Sequence, residues 1–378
     1  MKFMNDIETF RFQNLDLNEE ESAFVKALEL ITAGEERAAI ECFLNLWRDS
    51  KDDLIRSSSA QILFDLYFNE MEWKQIKKIG LLEEQCIDKT NRTIAKHCSQ
   101  VETTQFSFSK DYICIPLKPS KTGSPTIEVT INGIKKWFWL DTGAGMTVIS
   151  SSLAEACKIS KIKQSEIQVG NSSNQSLNST FAFIDLIEIE ELTIKNHPTL
   201  VVTDNLLSIQ LPDERMNIDG IIGWDIIQLF VLELDYIKHQ VIIHKPKTIA
   251  DIEHNLFFCG YPIIKVKSEN QIPLYFGLDT GANKTNFGPA LLSKLDDLQV
   301  QQRIIQHGGL GGVNEKYVKS IENFQLYFSI YQSIQFEKVN QGLSEYATFF
   351  KLDGVFGIDI TKGKRLVIDY PNRNIKLV

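Results

Sequence analysis

The chain has 378 residues, of which 43% are hydrophobic and 24% are charged, and its formal net charge is −9 at pH 7. This is a globular composition with the length of two or three domains, and it excludes a disordered chain or a fibre. The acidic balance, without a long basic run, excludes the electrostatic signature of a nucleic-acid-binding protein. No apolar stretch is long enough to predict a membrane span.

The six cysteines and six histidines are scattered without any paired spacing. We therefore expect no disulfide framework, no metal site and no cofactor. Residues 1–12 carry three charged side chains after Lys2 and contain no apolar signal segment. With unpaired thiols, this pattern favours a cytoplasmic protein.

The first hundred residues have the pattern of paired helices. Apolar residues recur at helical intervals over 19–47, interrupted at Gly34, and again over 55–82. These hairpins resemble two tetratricopeptide repeats without the full set of marker residues, and another helical bundle fits equally well. Two such repeats bury little surface alone, so we expect residues 1–105 to stack on one lobe of the rest of the chain or to recruit a protein partner.

From residue 106 the pattern changes to short runs of β-branched and aromatic residues between Gly, Pro, Asn and Ser. Runs over 112–117, 126–131 and 181–189 are typical. Regular short strands with turn residues between them predict an all-β region.

The β region repeats itself. The segment WFWLDTGA at 137–144 recurs as YFGLDTGA at 275–282, with the two aspartates, 141 and 279, 138 positions apart. The segment DGIIG at 219–223 recurs as DGVFG at 353–357, 134 positions later. Two blocks in the same order at nearly constant spacing predict two homologous units. The chain therefore divides into 1–105 (helical region), 106–247 (lobe one) and 248–378 (lobe two).

These blocks resemble the signature of the aspartic proteases, and the Asp-Thr-Gly-Ala form resembles the retropepsin-like branch. The resemblance covers the whole β region. It implies a multidomain α + all-β fold in which helical hairpins precede two homologous β-barrel lobes that form a bilobal pseudo-dimer. It also implies an aspartic endopeptidase that hydrolyses polypeptide bound in extended conformation, with Asp141 facing Asp279. Because one chain supplies both aspartates, we expect a monomer.

The residue types fit this chemistry. Peptide hydrolysis without a metal or a covalent intermediate needs a base that activates water and an acid that protonates the carbonyl oxygen. Two carboxylates about 3 Å apart share one proton, because both cannot ionise at that distance. One carboxyl group is then the base and the other is the acid at the same pH.

The resemblance also assigns supporting positions around the two aspartates. The active-site loops comprise Thr142, Gly143, Ala144, Thr280, Gly281 and Ala282. The loop that threads beside each of them, the ψ-loop, comprises Ile222, Gly223, Phe356 and Gly357. The flap candidates are Gly170 and Asn171 in lobe one and Gly309, Leu310 and Gly311 in lobe two.

The sequence departs from the family pattern in two places. Retroviral members have Arg after the apolar-apolar-Gly block, whereas this chain has Trp224 and Ile358, and no counterpart of the pepsin flap tyrosine is found. The aspartates that follow, Asp225 and Asp359, are predicted to be structural. The alternative function is a peptide-binding or protein-interaction protein whose protease fold is weakly active or inactive. The retention of both aspartates favours the peptidase.

Overall fold

The computed structural model describes residues 2–170, 176–211, 213–295, 297–309, 312–329, 332–342 and 348–378. The helical region contains α1 (Lys2–Glu8), α2 (Glu19–Thr32), α3 (Glu36–Asp49), α4 (Asp53–Asn69), α5 (Trp73–Ile79) and α6 (Lys89–Cys98), with a 3-10 turn at Leu81–Glu83. The starts of α2, α4 and α6 are set by capping side chains. Asn18 and Glu21 form a capping box on α2, and Asp52 and Asp88 accept backbone N–H groups at the starts of α4 and α6.

Lobe one is built from short strands. They are β1 (Gln105–Phe108), β2 (Tyr112–Pro116), β3 (Lys118–Pro119), β4 (Pro125–Ile131), β5 (Ile134–Leu140), β6 (Val148–Ser150), β7 (Lys161–Gly170), β8 (Ser176–Ile189), β9 (Leu192–Val202), β10 (Ser208–Gln210), β11 (Arg215–Asn217), β12 (Gly220–Ile222), β13 (Val231–Asp235) and β14 (Gln240–His244). Two short helices accompany them, α7 (Ser151–Ala156) and α8 (Trp224–Ile227).

Lobe two repeats this arrangement with α9 (Pro289–Leu292) and 3-10 turns at Ile358–Thr361 and Tyr370–Asn372. Its strands are β15 (Leu256–Phe258), β16 (Pro262–Lys267), β17 (Pro273–Leu278), β18 (Asn286–Phe287), β19 (Val300–Gly309), β20 (Gly312–Ser329), β21 (Gln332–Gln341), β22 (Gly354–Phe356), β23 (Arg365–Asp369) and β24 (Asn374–Leu377).

Both lobes close into barrels. In lobe one the ring runs β9-β6-β12-β5-β4-β8, and it closes because β8 pairs with both β4 and β9. In lobe two the ring runs β16-β17-β22-β18-β21-β20, and it closes through the β16–β20 pairing. The predicted fold of helices followed by two homologous β-barrel lobes is confirmed.

A separate sheet joins the lobes, in the order β2-β14-β13-β23-β24. Its centre is the antiparallel pairing of β13 with β23, in which Glu233 lies opposite Val367. These two residues are 134 positions apart, which is the spacing of the second repeated block. The pseudo-twofold axis that relates the lobes therefore passes between them.

The helical region contacts both lobes. The Phe10 ring stacks on Tyr275 and Phe350 of lobe two, with centroids 3.7 and 4.0 Å apart. On the other side, His97 of α6 stacks on Phe181 of lobe one. The expectation that this region stacks on one lobe is wrong, and its resemblance to tetratricopeptide repeats stays a prediction. Within the described ranges, no helix is long and apolar enough to cross a membrane.

Candidate active site

Each aspartate of the repeated block follows a barrel strand whose last residues are buried. Asp141 comes directly after β5, and its backbone N–H donates to the Ile222 carbonyl of β12 at 3.0 Å. Asp279 comes directly after β17, and its N–H donates to the Phe356 carbonyl of β22 at 2.9 Å. Because β12 runs parallel to β5 and β22 runs parallel to β17, each aspartate emerges beside the apolar-apolar-Gly block of its own lobe.

The threonines of the two Asp-Thr-Gly-Ala segments bind each other across the lobes. The Thr142 N–H donates to Thr280 Oγ1 at 3.0 Å, and the Thr280 N–H donates to Thr142 Oγ1 at 3.0 Å. Each hydroxyl then donates to a carbonyl of the opposite lobe, Thr142 to Leu278 at 2.8 Å and Thr280 to Leu140 at 2.7 Å. Both threonines are 1% exposed. This buried and fully reciprocal set of bonds holds the two loops in register.

The same arrangement brings the two aspartates face to face. The two carboxyl groups lie close enough for each to shift the pKa of the other. A methyl group on Gly143 would come within 2.7 Å of Asp279 Cγ, and one on Gly281 would come within 2.5 Å of Asp141 Cγ. Only glycine fits at either position, because each carboxyl group lies against the backbone of the opposite loop.

Burial controls the protonation of this pair. It raises the pKa of the Asp141 carboxyl above its ordinary value, and N–H donors led by Gly143, 2.9 Å from Oδ1, oppose the rise. Burial also raises the pKa of Asp279, and the negative charge of Asp141 adds to the effect. The Ala282 N–H, 2.9 Å from Asp279 Oδ1, acts in the opposite direction. The raised pKa values favour a pair that keeps one proton, as an acid–base pair requires.

The second pair of repeated aspartates anchors these loops from behind. Asp225 accepts the N–H and the hydroxyl of Thr147, both at 2.8 Å. In lobe two, Asp359 accepts the equivalent groups of Thr285 at 2.9 and 2.7 Å. The threonine hydroxyls accept the N–H groups of the ψ-loop glycines, 223 and 357, each at 3.2 Å. The prediction that Asp225 and Asp359 are structural is confirmed.

The flap candidates lie at the ends of two long hairpins. In lobe one, β7 pairs with β8 as far as Gly170 opposite Ser176, and Asn171 lies outside the described residues. In lobe two, β19 pairs with β20 as far as Gly309 opposite Gly312. The remaining candidates of lobe two, residues 310 and 311, also lie outside the described residues. The flap assignment therefore stays a prediction.

Two residues near the aspartates were missed in the sequence. Ser124 is fully buried, and its hydroxyl donates to the Gly281 carbonyl at 3.0 Å. Tyr261 is 8% exposed, and its hydroxyl oxygen is 2.8 Å from the point where a Cβ on Gly143 would lie. Each residue directly precedes a proline, Pro125 in lobe one and Pro262 in lobe two. This proline at equivalent positions of the two lobes was the signal in the sequence that could have identified them.

Part of lobe one matches a known protein family. Residues 127–226 match the family model described as "Aspartyl protease". The matched segment lies within lobe one. The matched segment contains Asp141, its Thr-Gly-Ala loop and the Ile222-Gly223 pair. The match agrees with the aspartic protease resemblance found in the sequence of this region.

A search of solved structures found a retropepsin-like aspartic protease from Rickettsia conorii, described as a crystal structure. It is 18% identical to this chain, and the match covers 38% of this chain and 94% of that chain with a TM-score of 0.24. No curated protein matches the chain. Across the described parts of the chain, no cluster of three or more His, Cys, Asp and Glu side chains is placed to hold a metal ion.

Proposed function

We propose that this chain is an aspartic endopeptidase in which Asp141 and Asp279 act as one catalytic pair. The observation that carries the proposal is a pair of carboxyl groups, one from each lobe, each packed against the active-site glycine of the opposite loop. The threonine bonds between Thr142 and Thr280 hold this pair in place. The aspartyl protease match over 127–226 supports the same reaction class.

In the proposed reaction the pair holds one proton between its carboxyl groups. Burial raises the pKa of both carboxyl groups, and in this scheme the proton starts on Asp279. Asp141 then removes a proton from water as the oxygen attacks the peptide carbonyl carbon, while Asp279 gives its proton to the carbonyl oxygen. The tetrahedral intermediate collapses when the C–N bond breaks: the amine leaves with the proton from Asp141, and one hydroxyl of the intermediate returns its proton to Asp279 as the new carboxyl group forms. The pair returns to one shared proton.

The proposed substrate is polypeptide in extended conformation, as the retropepsin resemblance implies. A single chain supplies both halves of the pair, so the proposed active species is a monomer. The sheet formed by β13 and β23 joins the lobes along five residue pairs, which supports this proposal. A protein partner bound through the helical region remains a further proposal.

The test compares cleavage of a peptide library and of a denatured protein by the parent, Asp141→Asn and Asp279→Asn. Each substitution keeps the side-chain volume but removes the shared proton chemistry, so turnover should fall by at least about a thousandfold. Asp251→Asn is the matched control, since Asp251 is exposed and lies at φ 56°, where Asn is well tolerated. Turnover near the parent rate in either dyad variant would refute the pair. A parent that binds peptides without cutting them would favour the alternative, a peptide-binding protein.

A further inference from the structure

The lobes differ at one pair of equivalent positions beside the aspartates. Ser124 directly precedes β4, and Tyr261 directly precedes β16. The registers of the following strands establish the equivalence. In lobe one Ile127, three residues after Ser124, pairs with Phe138. In lobe two Ile264, three residues after Tyr261, pairs with Phe276, which lies 138 positions after Phe138.

Both side chains reach across to the opposite lobe, but they reach different atoms. The Ser124 hydroxyl donates to the carbonyl of Gly281 at 3.0 Å and is therefore engaged with backbone. A Cβ placed on Gly143 would lie 2.8 Å from the Tyr261 hydroxyl oxygen and also 2.8 Å from Asp279 Oδ1. The two oxygens are therefore separated by no more than the sum of these distances. That span permits a hydrogen bond through one bridging water.

A glycine in the neighbouring strand makes room for the tyrosine. A methyl group on Gly277 would come within 2.7 Å of Tyr261 Cε1. The residue at the equivalent position of lobe one is Trp139, which is 7% exposed and packs with Val202 and other residues of its own lobe. Compared with lobe one, lobe two therefore has Gly277 where lobe one has Trp139, and Tyr261 where lobe one has Ser124. The two differences are complementary, because the glycine allows the ring to lie over the strand.

We propose that Tyr261 is a positioning residue whose phenol O–H donates toward the Asp279 carboxyl group and stabilises the negative charge of the catalytic pair. This inference rests on the proposed function. It makes the site asymmetric, because lobe one offers the carbonyl-bound hydroxyl of Ser124 at the same position.

The chemistry of the loops gives this donor a role. The alanines at 144 and 282 provide no side-chain hydroxyl to the carboxyl groups, so burial of the pair is opposed chiefly by backbone N–H groups. A hydrogen bond to the charged form of a carboxylate lowers its pKa. A phenol that approaches from the β16 side would supply that bond without altering either loop. Its removal should raise the pKa of the pair.

The first experiment measures kcat and KM against pH for the parent, Tyr261→Phe and Ser124→Ala. Tyr261→Phe keeps the ring and removes only the hydroxyl, so the acidic limb of kcat/KM should move up by about one pH unit, with the change in kcat and not in KM. Ser124→Ala removes the equivalent hydroxyl and should leave the limb within about 0.2 units of the parent. An unmoved limb in Tyr261→Phe, or an equal shift in both variants, would overturn the inference.

A second variant and a second readout keep the test independent of folding and of activity. Gly277→Ala retains the hydroxyl but displaces the ring, so it should shift the acidic limb in the same direction. Carboxyl carbon NMR of 13C-labelled aspartate, without substrate, should show a higher titration midpoint for the pair in both variants. A parent without peptidase activity would refute the proposed function, while the NMR midpoints would still decide the role of Tyr261. Titration midpoints identical to those of the parent in both variants would refute the positioning role of Tyr261.

Discussion

Asn69, at the end of α4, accepts a hydrogen bond from Trp224 Nε1 of lobe one at 3.0 Å, and both residues are buried. The amide of the same asparagine donates to the Tyr370 hydroxyl of lobe two at 3.0 Å. One side chain of the helical region therefore binds both lobes. Trp224 directly follows the ψ-loop glycine of lobe one, so this contact lies one residue from the loop that supports Asp141.

A second buried contact accompanies it. Glu36 of α3 accepts the Tyr370 hydroxyl at 3.1 Å and the Phe258 N–H at 3.1 Å, and it pairs with Arg373. Burial raises the pKa of Glu36, and the nearby guanidinium opposes the rise. The helical region is thus joined to the lobes by satisfied polar groups as well as by aromatic packing. We infer that it fixes the relative position of the lobes.

Asn69→Ala should destabilise the protein by about 2–3 kcal/mol, because it leaves the Trp224 N–H and the Tyr370 hydroxyl buried without this partner. Denaturant unfolding measures the change. Asn45→Ala is the matched control, since Asn45 is exposed on the neighbouring helix α3, and it should stay within about 0.5 kcal/mol of the parent. An equal effect of the two substitutions would show that Asn69 does not join the lobes.

Removal of residues 1–104 should abolish the cooperative fold. The truncation exposes the lobe surfaces on which Phe10 and His97 stack, and it leaves Arg373 and Tyr370 without their buried partners. Near-UV circular dichroism and thermal unfolding of the truncated chain check this prediction. A truncated protein that unfolds cooperatively and cleaves peptides at the parent rate would contradict it, and the helical region would then be a dispensable attachment.

Much of the site could be predicted because its information is local. An apolar strand that ends in Asp-Thr-Gly-Ala, present twice with a matching downstream glycine, predicted that Asp141 and Asp279 meet. The same repeat predicted the two barrels. The recurrence of Asp225 as Asp359 also predicted a structural role, and each binds the hydroxyl of a threonine in its own lobe.

The missed features depend on contacts between distant segments. The sequence around Tyr261 shows nothing unusual, and only the folded structure places its hydroxyl beside Gly143 of the other lobe. Asn69 reads as a polar residue at a helix end, where such residues are normally solvated. The pairing of Glu233 with Val367 depends on the register of two strands from different lobes, which no local pattern encodes.

Asp65 should make stability depend on pH. Burial raises the pKa of this α4 carboxyl from 3.8 to about 7, with Gln61 as its hydrogen-bond donor at 2.9 Å. Between these values the folded state retains a proton that the unfolded state has released, so stability falls as pH rises from about 4 to 7. Asp65→Asn should remove this loss and raise the free energy of unfolding at pH 8 by about 1–3 kcal/mol, with little change at pH 4.

Unfolding curves at pH 4, 6 and 8 measure this dependence. Asp53→Asn, on the same helix with a side chain that is 87% exposed, is the control, and it should not alter the slope between pH 4 and 7. If the free energy of unfolding changes with pH in the same way in the parent and in Asp65→Asn, groups other than Asp65 cause the pH dependence.

The alanines after the two Asp-Thr-Gly segments should set the working pH. Both are partly buried, and the N–H of Ala282 already donates to Asp279 Oδ1 at 2.9 Å. Burial raises the pKa of both dyad carboxyl groups. Without a side-chain hydroxyl at 144 or 282 to oppose this rise, we expect activity in a mildly acidic to near-neutral range.

Serine at both positions, Ala144→Ser with Ala282→Ser, adds two donors that favour the charged form and lower the pKa of the pair. Because the working window is bounded by two apparent pKa values that belong to the pair, the whole pH–rate profile should move toward acid by about one unit. The double substitution is compared with Ala156→Ser, an exposed position on α7 that lies outside both loops and should leave the profile in place. A parent that works only in strong acid, or a double variant whose profile stays in place, would show that backbone N–H groups alone set the window.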